Sequence, residues 1–410
     1  MPKTEDYLNN NKVSGYIGFD PTSDSLHIGS LVQIMTLVHF QRHGHKPYVL
    51  LGGATGMVGD PSGKSKERNL LDTKELDKNI NSIKKQLSRF LKFDSSENEA
   101  VIVNNKDWFE NFNFLDFIRD VGKHITVNYM MSKDSVKKRL ETGISFTEFT
   151  YQLVQGYDFY WLYKNHNCLV QLGGSDQWGN IVTGTELIRR MDGGSAYAIT
   201  TPLVQKADGT KFGKTESGNI WLDPVKTSPY KFYQYWINSS DIDAENYIKI
   251  FTLHNKNKIE DIIAQHKENP GLRLLQNELG KYITSMIHGE EQYLMAKEAS
   301  SILFMKGDEA VSALKSLSTD LFLDIFEGVP KTEISKEEIF NGIPIIDALV
   351  EKSGFLKSNG EARRAINENS ISLNKSKVKL DTIINTKDLI DGKYLLLQRG
   401  KKNYFVILVA

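Results

Sequence analysis

The first half of the chain reads as an α/β protein built on a doubly wound parallel sheet, a class predicted by two features of its patterning. Short apolar runs alternate with stretches of helical periodicity up to about Met191, and Gly-rich or polar clusters stand directly after each run. Beyond Asp223 strand patterns stop, returning in a basic tail. Alternation of this kind predicts parallel strands with helices on both faces, a Rossmann-like arrangement that binds ligands beyond the carboxyl ends of its strands. The expected organisation is a Rossmann-like domain over 1–223, an all-α domain over 224–329, a linker over 330–343 and a small α/β domain over 344–410.

The first apolar run, Gly15 to Phe19, leads through Asp20-Pro21-Thr22 to His27-Ile28-Gly29-Ser30, after which Leu31, Ile34, Met35 and Val38 recur at helical spacing. That is a strand, a turn and a helix. Pro21 fixes the turn, Asp24 or Ser25 can cap the helix, and the amides of its first turn suit a phosphate. Thr22 can donate a hydroxyl and His27 a ring N–H to the same oxygens. Taken alone, a Pro-Thr turn and a helix-start histidine serve equally well as plain structure. Further runs cover Lys46 to Ala54, Ala100 to Val103 and Cys168 to Leu172, ending in Gly52-Gly53-Ala54-Thr55, Asn104-Asn105 and Gly173-Gly174-Ser175-Asp176-Gln177. Helical patterns over Lys74 to Leu91, Asn128 to Glu141, Phe146 to Tyr163 and Gln177 to Met191 separate these runs or come after them.

The stretch Gly59-Asp60-Pro61-Ser62-Gly63-Lys64-Ser65 ends like a P-loop, but a glycine is needed where Val58 stands, so the spacing fails. Asp208-Gly209-Thr210-Lys211-Phe212-Gly213-Lys214-Thr215 is a glycine-punctuated loop with two lysines three apart. By itself it reads as a solvated, mobile cationic loop.

Composition narrows the class. The 410 residues are 40% hydrophobic and 25% charged with a formal net charge of zero, and Cys168 is the one cysteine. A disulfide within the chain and a cysteine zinc site are excluded, and a reducing cytoplasm is the expected location. No run approaches a membrane span, and the polar start lacks the apolar core of a signal peptide, so no membrane partner is expected. Residues 344–410 hold twelve Lys and Arg against seven Asp and Glu, a net of +5, leaving −5 for the remainder. A small basic module on an otherwise neutral chain suggests an anionic polymer, although a solvated basic surface would look the same.

Taken together, Gly18-Phe19-Asp20-Pro21-Thr22 through Ser30, Gly174-Ser175-Asp176-Gln177-Trp178-Gly179-Asn180 and Lys211-Phe212-Gly213-Lys214-Thr215 resemble the signatures of the bacterial tyrosyl-tRNA synthetase family, a class I family. The resemblance spans nearly the whole chain, including a C-terminal RNA-binding domain of the ribosomal-protein-S-four type. The family's His-Ile-Gly-His stands here with Ser30 in its last place, and its Lys-Met-Ser-Lys-Ser loop with Phe212, Gly213 and Thr215. Both lysines are kept.

The resemblance implies activation of L-tyrosine by ATP to tyrosyl-adenylate and pyrophosphate, then transfer of the tyrosyl group to the 3′-terminal adenosine of tRNA(Tyr). Neither step uses a protein nucleophile. Charge growing on pyrophosphate asks for donors and cations, and family match gives that role to Thr22, His27, Lys64, Arg68, Lys211, Lys214 and Thr215, with Mg²⁺ sharing the charge and no zinc expected. ATP contacts fall on Gly18, Asp20, His27, Gly29, Ser30, Gly174, Asp176 and Lys214. For tyrosine, Asp158 and Tyr16 match the phenol-binding positions, Tyr151, Gln155 and Asp60 the ammonium-binding ones, and Thr55, Asn105 and Gln177 further polar positions of the pocket. Arg363 and Arg364 are the expected tRNA contacts. A homodimer is implied through the region Asp116 to Val136, whose Phe117, Ile118, Val121, Ile125, Met130 and Met131 carry more apolar surface than its own fold needs. The rival readings are the tryptophanyl sister family, disfavoured by Asp158 and the basic tail, and a non-catalytic RNA-binding relative, disfavoured by His27, Lys211 and Lys214.

Overall fold

Five strands, β1 (Ser14–Phe19), β2 (Lys46–Leu51), β3 (Val101–Asn104), β4 (Cys168–Gly174) and β5 (Tyr197–Thr201), pair in parallel in the order β3-β2-β1-β4-β5. The computed structural model describes all residues except 1–3, 61, 63–71, 95–96, 111, 141–142, 216–217, 303–304, 306 and 401–402; the side chains of Ser135, Lys138, Leu140, Thr215, Gly307 and Asp308 also lie outside the description. The sheet grows from β1 through β2 to β3 and then resumes on the other side of β1 with β4. A switch of direction falls between β1 and β4, where Tyr16 stands level with Gln171. That is where a doubly wound sheet opens its ligand crevice. The strand β5 was not among the runs expected: Tyr197-Ala198-Ile199-Thr200-Thr201 is short, and its threonines mask the apolar signal.

Burial explains the helical patterns. In the helix Ile28–Arg42, Ile28, Leu31, Ile34, Met35, Leu37, Val38 and Phe40 are all buried. Its cap is His27 rather than Asp24 or Ser25: Nδ1 accepts from the Gly29 N–H at 2.9 Å. The helices Phe146–His166 and Trp178–Asp192 match the expected spans, and Thr73–Leu87 stops four residues short. The stretch expected as one helix from Asn128 to Glu141 is two, Val127–Met131 and Asp134–Leu140, the first tightening into i→i−3 bonds at its end, from Ser132 N–H to Tyr129 O at 3.2 Å and from Lys133 N–H to Met130 O at 3.3 Å.

The chain divides into two compact units, Met1–Lys226 with Ser240–Ala264, and Thr227–Ser239 with Gln265–Ala410. The second unit is where the structure departs from the expected layout of a helical domain, a linker and a tail. Lys331–Ile334, inside the expected linker, is a strand paired in parallel with Asn403–Val409, and Lys336–Asn341 is a helix with a Ser335–Glu338 capping box. The sheet completed by Ile371–Leu373 and Tyr394–Arg399 is covered on both faces. Leu395, Leu397, Phe405 and Ile407 pack with Leu349, Ala362 and Ile366, whereas Leu396 and Val406 pack with Tyr293, Leu314 and Phe322 of the helical stretch. One core therefore joins residues 290–326 to the last two strands. The unbroken run Leu395-Leu396-Leu397 is the sequence signature of such double burial.

Candidate active site

A cavity of about 340 Å³ opens beyond the carboxyl ends of β1 and β4 and is lined by Tyr16, Gly18, Asp20, Thr22, His27, Gly29, Ser30, Thr55, Asp60, Tyr151, Gln155, Asp158, Gly174, Asp176 and Gln177. Signatures as far apart in sequence as Gly18 and Gln177 thus contribute to one wall, as strand ends of a single sheet must.

Its floor is polar and buried. Asp158, 1% exposed, accepts from Trp108 Nε1 at 2.9 Å through Oδ1 and from Asn105 Nδ2 at 3.1 Å through Oδ2. Each oxygen keeps a second lone pair for a further donor. Burial holds the Asp158 carboxyl well above the usual carboxylate range, against the downward pull of those two donors. Close by, the Tyr16 hydroxyl is buried and without a partner among the described residues, and burial and the Asp158 charge push its ionisation up. The Oε1 atoms of Gln33, Gln155 and Gln171 are likewise buried and unpartnered among the described residues, all on the cavity wall. Buried polar atoms in a folded protein are normally satisfied, so four such atoms on residues that line one cavity are the pattern expected where a polar ligand binds.

Asp20, leaving β1, accepts from the Thr55 hydroxyl at 2.7 Å and from the Tyr151 hydroxyl at 2.8 Å. A side chain at Gly52 would collide with this carboxylate, its Cβ falling 2.2 Å from Asp20 Oδ1. Across the cavity Asp60 accepts from Gln177 Nε2 at 2.7 Å and from the Ser62 N–H at 2.9 Å. Burial, with Asp60 nearby, raises the Asp176 carboxyl. Among the described residues four aspartates and no lysine or arginine line the cavity, which is therefore suited to a cationic or hydroxyl-bearing ligand. His27 contributes differently. Because Nδ1 accepts the helix-cap bond, the proton of the neutral ring is on Nε2, the donor a phosphate requires.

Several expected residues stand elsewhere. Asn105 is fully buried behind the wall, bridging the Ala54 N–H, Thr55 and Asp158. Tyr151 stays on the wall, but its hydroxyl is turned to Asp20. Lys211 and Lys214 are exposed and off the wall. The loop that carries them is nonetheless held: Phe212 stacks on Phe251 at 5.2 Å and meets Tyr247 edge-on at 5.0 Å. Gly213, at φ +80°, lies so close to the start of the Ile28–Arg42 helix that a Cβ would be 3.0 Å from Ile28. Lys64, Arg68 and the Thr215 side chain fall outside the described residues. Arg363 and Arg364 are exposed on the helix Asn359–Asn367 of the second unit, whose Ala362, Ala365 and Ile366 are buried. Among the described residues no cluster of three or more His, Cys, Asp or Glu is placed to hold a metal.

Sequence reading missed Trp108, Gln33, Gln171 and Asn180, whose Nδ2 reaches Ser62 Oγ at 3.3 Å and Gln177 Oε1 at 3.3 Å. The spacing of Trp108, one helical turn after Asn105, was the available signal; Gln171 is hidden in an apolar strand.

Fold and crevice together are those of a class I aminoacyl-tRNA synthetase: residues 8–305 match the family described as tRNA synthetases class I (W and Y), and residues 322–407 match the tyrosine--tRNA ligase SYY-like C-terminal domain. A tyrosine--tRNA ligase of Flavobacterium psychrophilum is 61% identical over 413 residues, covering 99% of this chain and 95% of its own, and one of Bacteroides fragilis is 59% identical over 414 residues, covering 100% and 96%. Among solved structures, a C-terminally truncated mitochondrial tyrosyl-tRNA synthetase of Aspergillus nidulans superposes with a TM-score of 0.64 at 31% identity, over 72% of this chain and 86% of that one. The chain belongs to the tyrosine--tRNA ligase family.

Proposed function

We propose that the chain activates L-tyrosine with ATP and transfers the tyrosyl group to tRNA(Tyr), and that the floor of the cavity selects the amino acid. The observation that carries this reading is the presence on one floor of the buried Asp158 carboxylate, with lone pairs to spare, and the Tyr16 hydroxyl, which has no partner among the described residues. A substrate phenol donates its O–H to Asp158 and accepts from Tyr16. Phenylalanine leaves both unsatisfied in a dry site, which is costly. The substrate ammonium lies among Asp60, Gln155 and Tyr151, with Thr55 and Gln177 fixing the carboxylates around it and Asn105 bracing Asp158 from behind.

With tyrosine so placed, its carboxylate oxygen attacks the α-phosphorus of ATP and pyrophosphate departs. Gly18, Asp20, Gly29, Ser30, Gly174 and Asp176 surround the nucleoside, the glycines allowing backbone approach and the polar groups meeting ribose hydroxyls. Thr22 and His27 Nε2 donate to the departing phosphates, and Lys211, Lys214 and Thr215, with Lys64 and Arg68, complete the cationic surround as charge develops. With no cluster among the described residues to cage it, Mg²⁺ would arrive on the phosphates of ATP. In the second step the terminal ribose hydroxyl of the tRNA attacks the tyrosyl carbonyl and AMP departs, while the basic segment after residue 344, with Arg363 and Arg364 exposed, holds the RNA backbone.

The functional unit is a homodimer. Val121, Ile125 and Met130 are absorbed into their own core, but Phe114, Leu115, Ile118, Val127 and Met131 remain exposed, from 39% to 70%. So dense an apolar surface in one short stretch fits a second copy of the chain. No helix among the described residues is long and apolar enough to cross a membrane, and a cytoplasmic location, beside ATP and tRNA, suits the reaction. Tyrosine-dependent exchange of pyrophosphate into ATP tests the whole reading.

A further inference from the structure

The loop bearing Lys211 and Lys214 is followed by a segment that runs alongside the phosphate turn. Ile28 N–H donates to Ile220 O at 2.9 Å, Leu222 N–H to Leu26 O at 2.9 Å, and His27 and Trp221 face each other as an antiparallel bridge. Ile220 N–H in turn donates to Gly213 O at 3.1 Å, so this segment holds the body of the loop. At its far end Lys226 Nζ pairs with Asp24 Oδ1, donates to Ser23 Oγ at 3.3 Å and lies 5.0 Å above the ring of Trp221. Trp221 stands edge-on to His27, ring centroids 6.0 Å apart. Lys78 approaches the other oxygen of Asp24 at 3.6 Å, and Lys226 holds the Asp24 carboxyl below its ordinary value.

We propose that Asp24 and Lys226 are positioning residues for adenylate formation, their ion pair fastening the loop's return segment to the turn that carries Thr22 and His27. The inference rests on the function proposed above. Phosphate donors on the turn and lysines on the loop come from segments nearly two hundred residues apart, yet they must meet one pyrophosphate at the same moment. Small displacements between such groups are expensive in rate. A half-exposed ion pair contributes little to stability, so the place of this one, at the seam between the two donor sets and stacked on the ring that abuts His27, is what gives it consequence.

The test uses the full chain and steady-state pyrophosphate exchange. Asp24→Asn and Lys226→Met should each lower kcat roughly tenfold while leaving KM for tyrosine within about twofold, because the amino-acid floor is untouched. The double variant should be no slower than the worse single one, as expected of groups that act as a pair. Lys226→Arg, which keeps the charge, should retain most of the rate. Amide exchange of residues 218–222 should quicken in both single variants. An unchanged kcat, additive losses, a parallel rise in the tyrosine KM, or unaltered exchange at 218–222 would each overturn the assignment. Failure of the unsubstituted chain to exchange pyrophosphate at all would instead overturn the proposed function, and this role with it.

Discussion

Trp108 and Asp158 are joined by a 2.9 Å hydrogen bond from the indole Nε1 to carboxylate Oδ1, and Trp108 is itself stacked on Trp161 at 4.2 Å. The stack fixes the donor, and the donor fixes one oxygen of a carboxylate that burial would otherwise disfavour. With Asn105 on the second oxygen, Asp158 has no freedom to rotate away from the cavity. The protein's own hydrogen bonds and ring stacking therefore hold this floor in place, which lowers the ordering cost of binding.

Tyr16→Phe removes one donor from this floor and leaves the ring in place. Tyrosine affinity should fall by about 0.5–1.5 kcal/mol, the range for one neutral hydrogen bond, while phenylalanine, which leaves that hydroxyl unsatisfied, should lose none. Calorimetric or fluorescence titration of both amino acids checks this; equal weakening would make Tyr16 a packing residue.

The raised ionisation of Asp158 has a defined sign in stability. Burial penalises the charged form in the folded chain, so between the unfolded value, about 4, and the raised folded one the native state holds the extra proton. Folding is least burdened at acid pH and loses stability as pH climbs through that window. Asp158→Asn carries no charge there, so the melting temperature of the variant, relative to the parent without ligand, should climb steadily from about pH 4 upward. A difference that stays flat with pH would mean that Asp158 is solvated after all.

If the exposed apolar stretch from Phe114 to Met131 is the subunit contact, a buried carboxylate there should split it. Ile118→Glu should sediment as a monomer at micromolar concentration where the parent sediments as a dimer, since an unpaired charge in a dry interface opposes association. A parent chain that is already monomeric rules the contact out.

Arg363→Ala with Arg364→Ala tests the RNA surface without disturbing the buried side of its helix. Charging of tRNA should weaken, tyrosine-dependent exchange should not, and the dependence of log affinity on log salt should become shallower by roughly one per arginine. This pair is a better probe than truncation near Gly342. Removing the last strands would strip Leu396 and Val406 from Phe322 and Leu314 and leave Lys331–Ile334 without its partner, so loss of charging would report unfolding.

The reach of the sequence alone depends on where each signal lies. Strand ends and helix starts are local, and the turns Gly18 to Ser30 and Gly174 to Asn180 were legible because each occupies a few consecutive residues, whereas Tyr151, Gln155 and Asp158 were singled out only by family match, since their spacing on the helix Phe146–His166 reads by itself as amphipathic packing. Trp108 was not legible as a site residue, since its importance comes from a carboxylate fifty residues away. Nor was the union of the helical stretch with the C-terminal sheet: a stretch over 330–343 with Pro330 and a Lys/Glu-rich middle looks like a linker until Asn403–Val409 supplies it with a partner strand. The lysine loop shows the same limit. Glycines and charges suggested mobility, whereas Phe212 finds Phe251 and Gly213 closes on Ile28, contacts that arise in three dimensions.

The central claim is that the Asp158–Tyr16 floor selects tyrosine for activation by ATP. Pyrophosphate exchange into ATP, measured with tyrosine, phenylalanine and tryptophan offered separately to the full chain, tests it most directly. Exchange that depends on tyrosine, with phenylalanine and tryptophan leaving the rate at background, is the predicted result; exchange supported equally by tryptophan or phenylalanine, or by no amino acid, would contradict it.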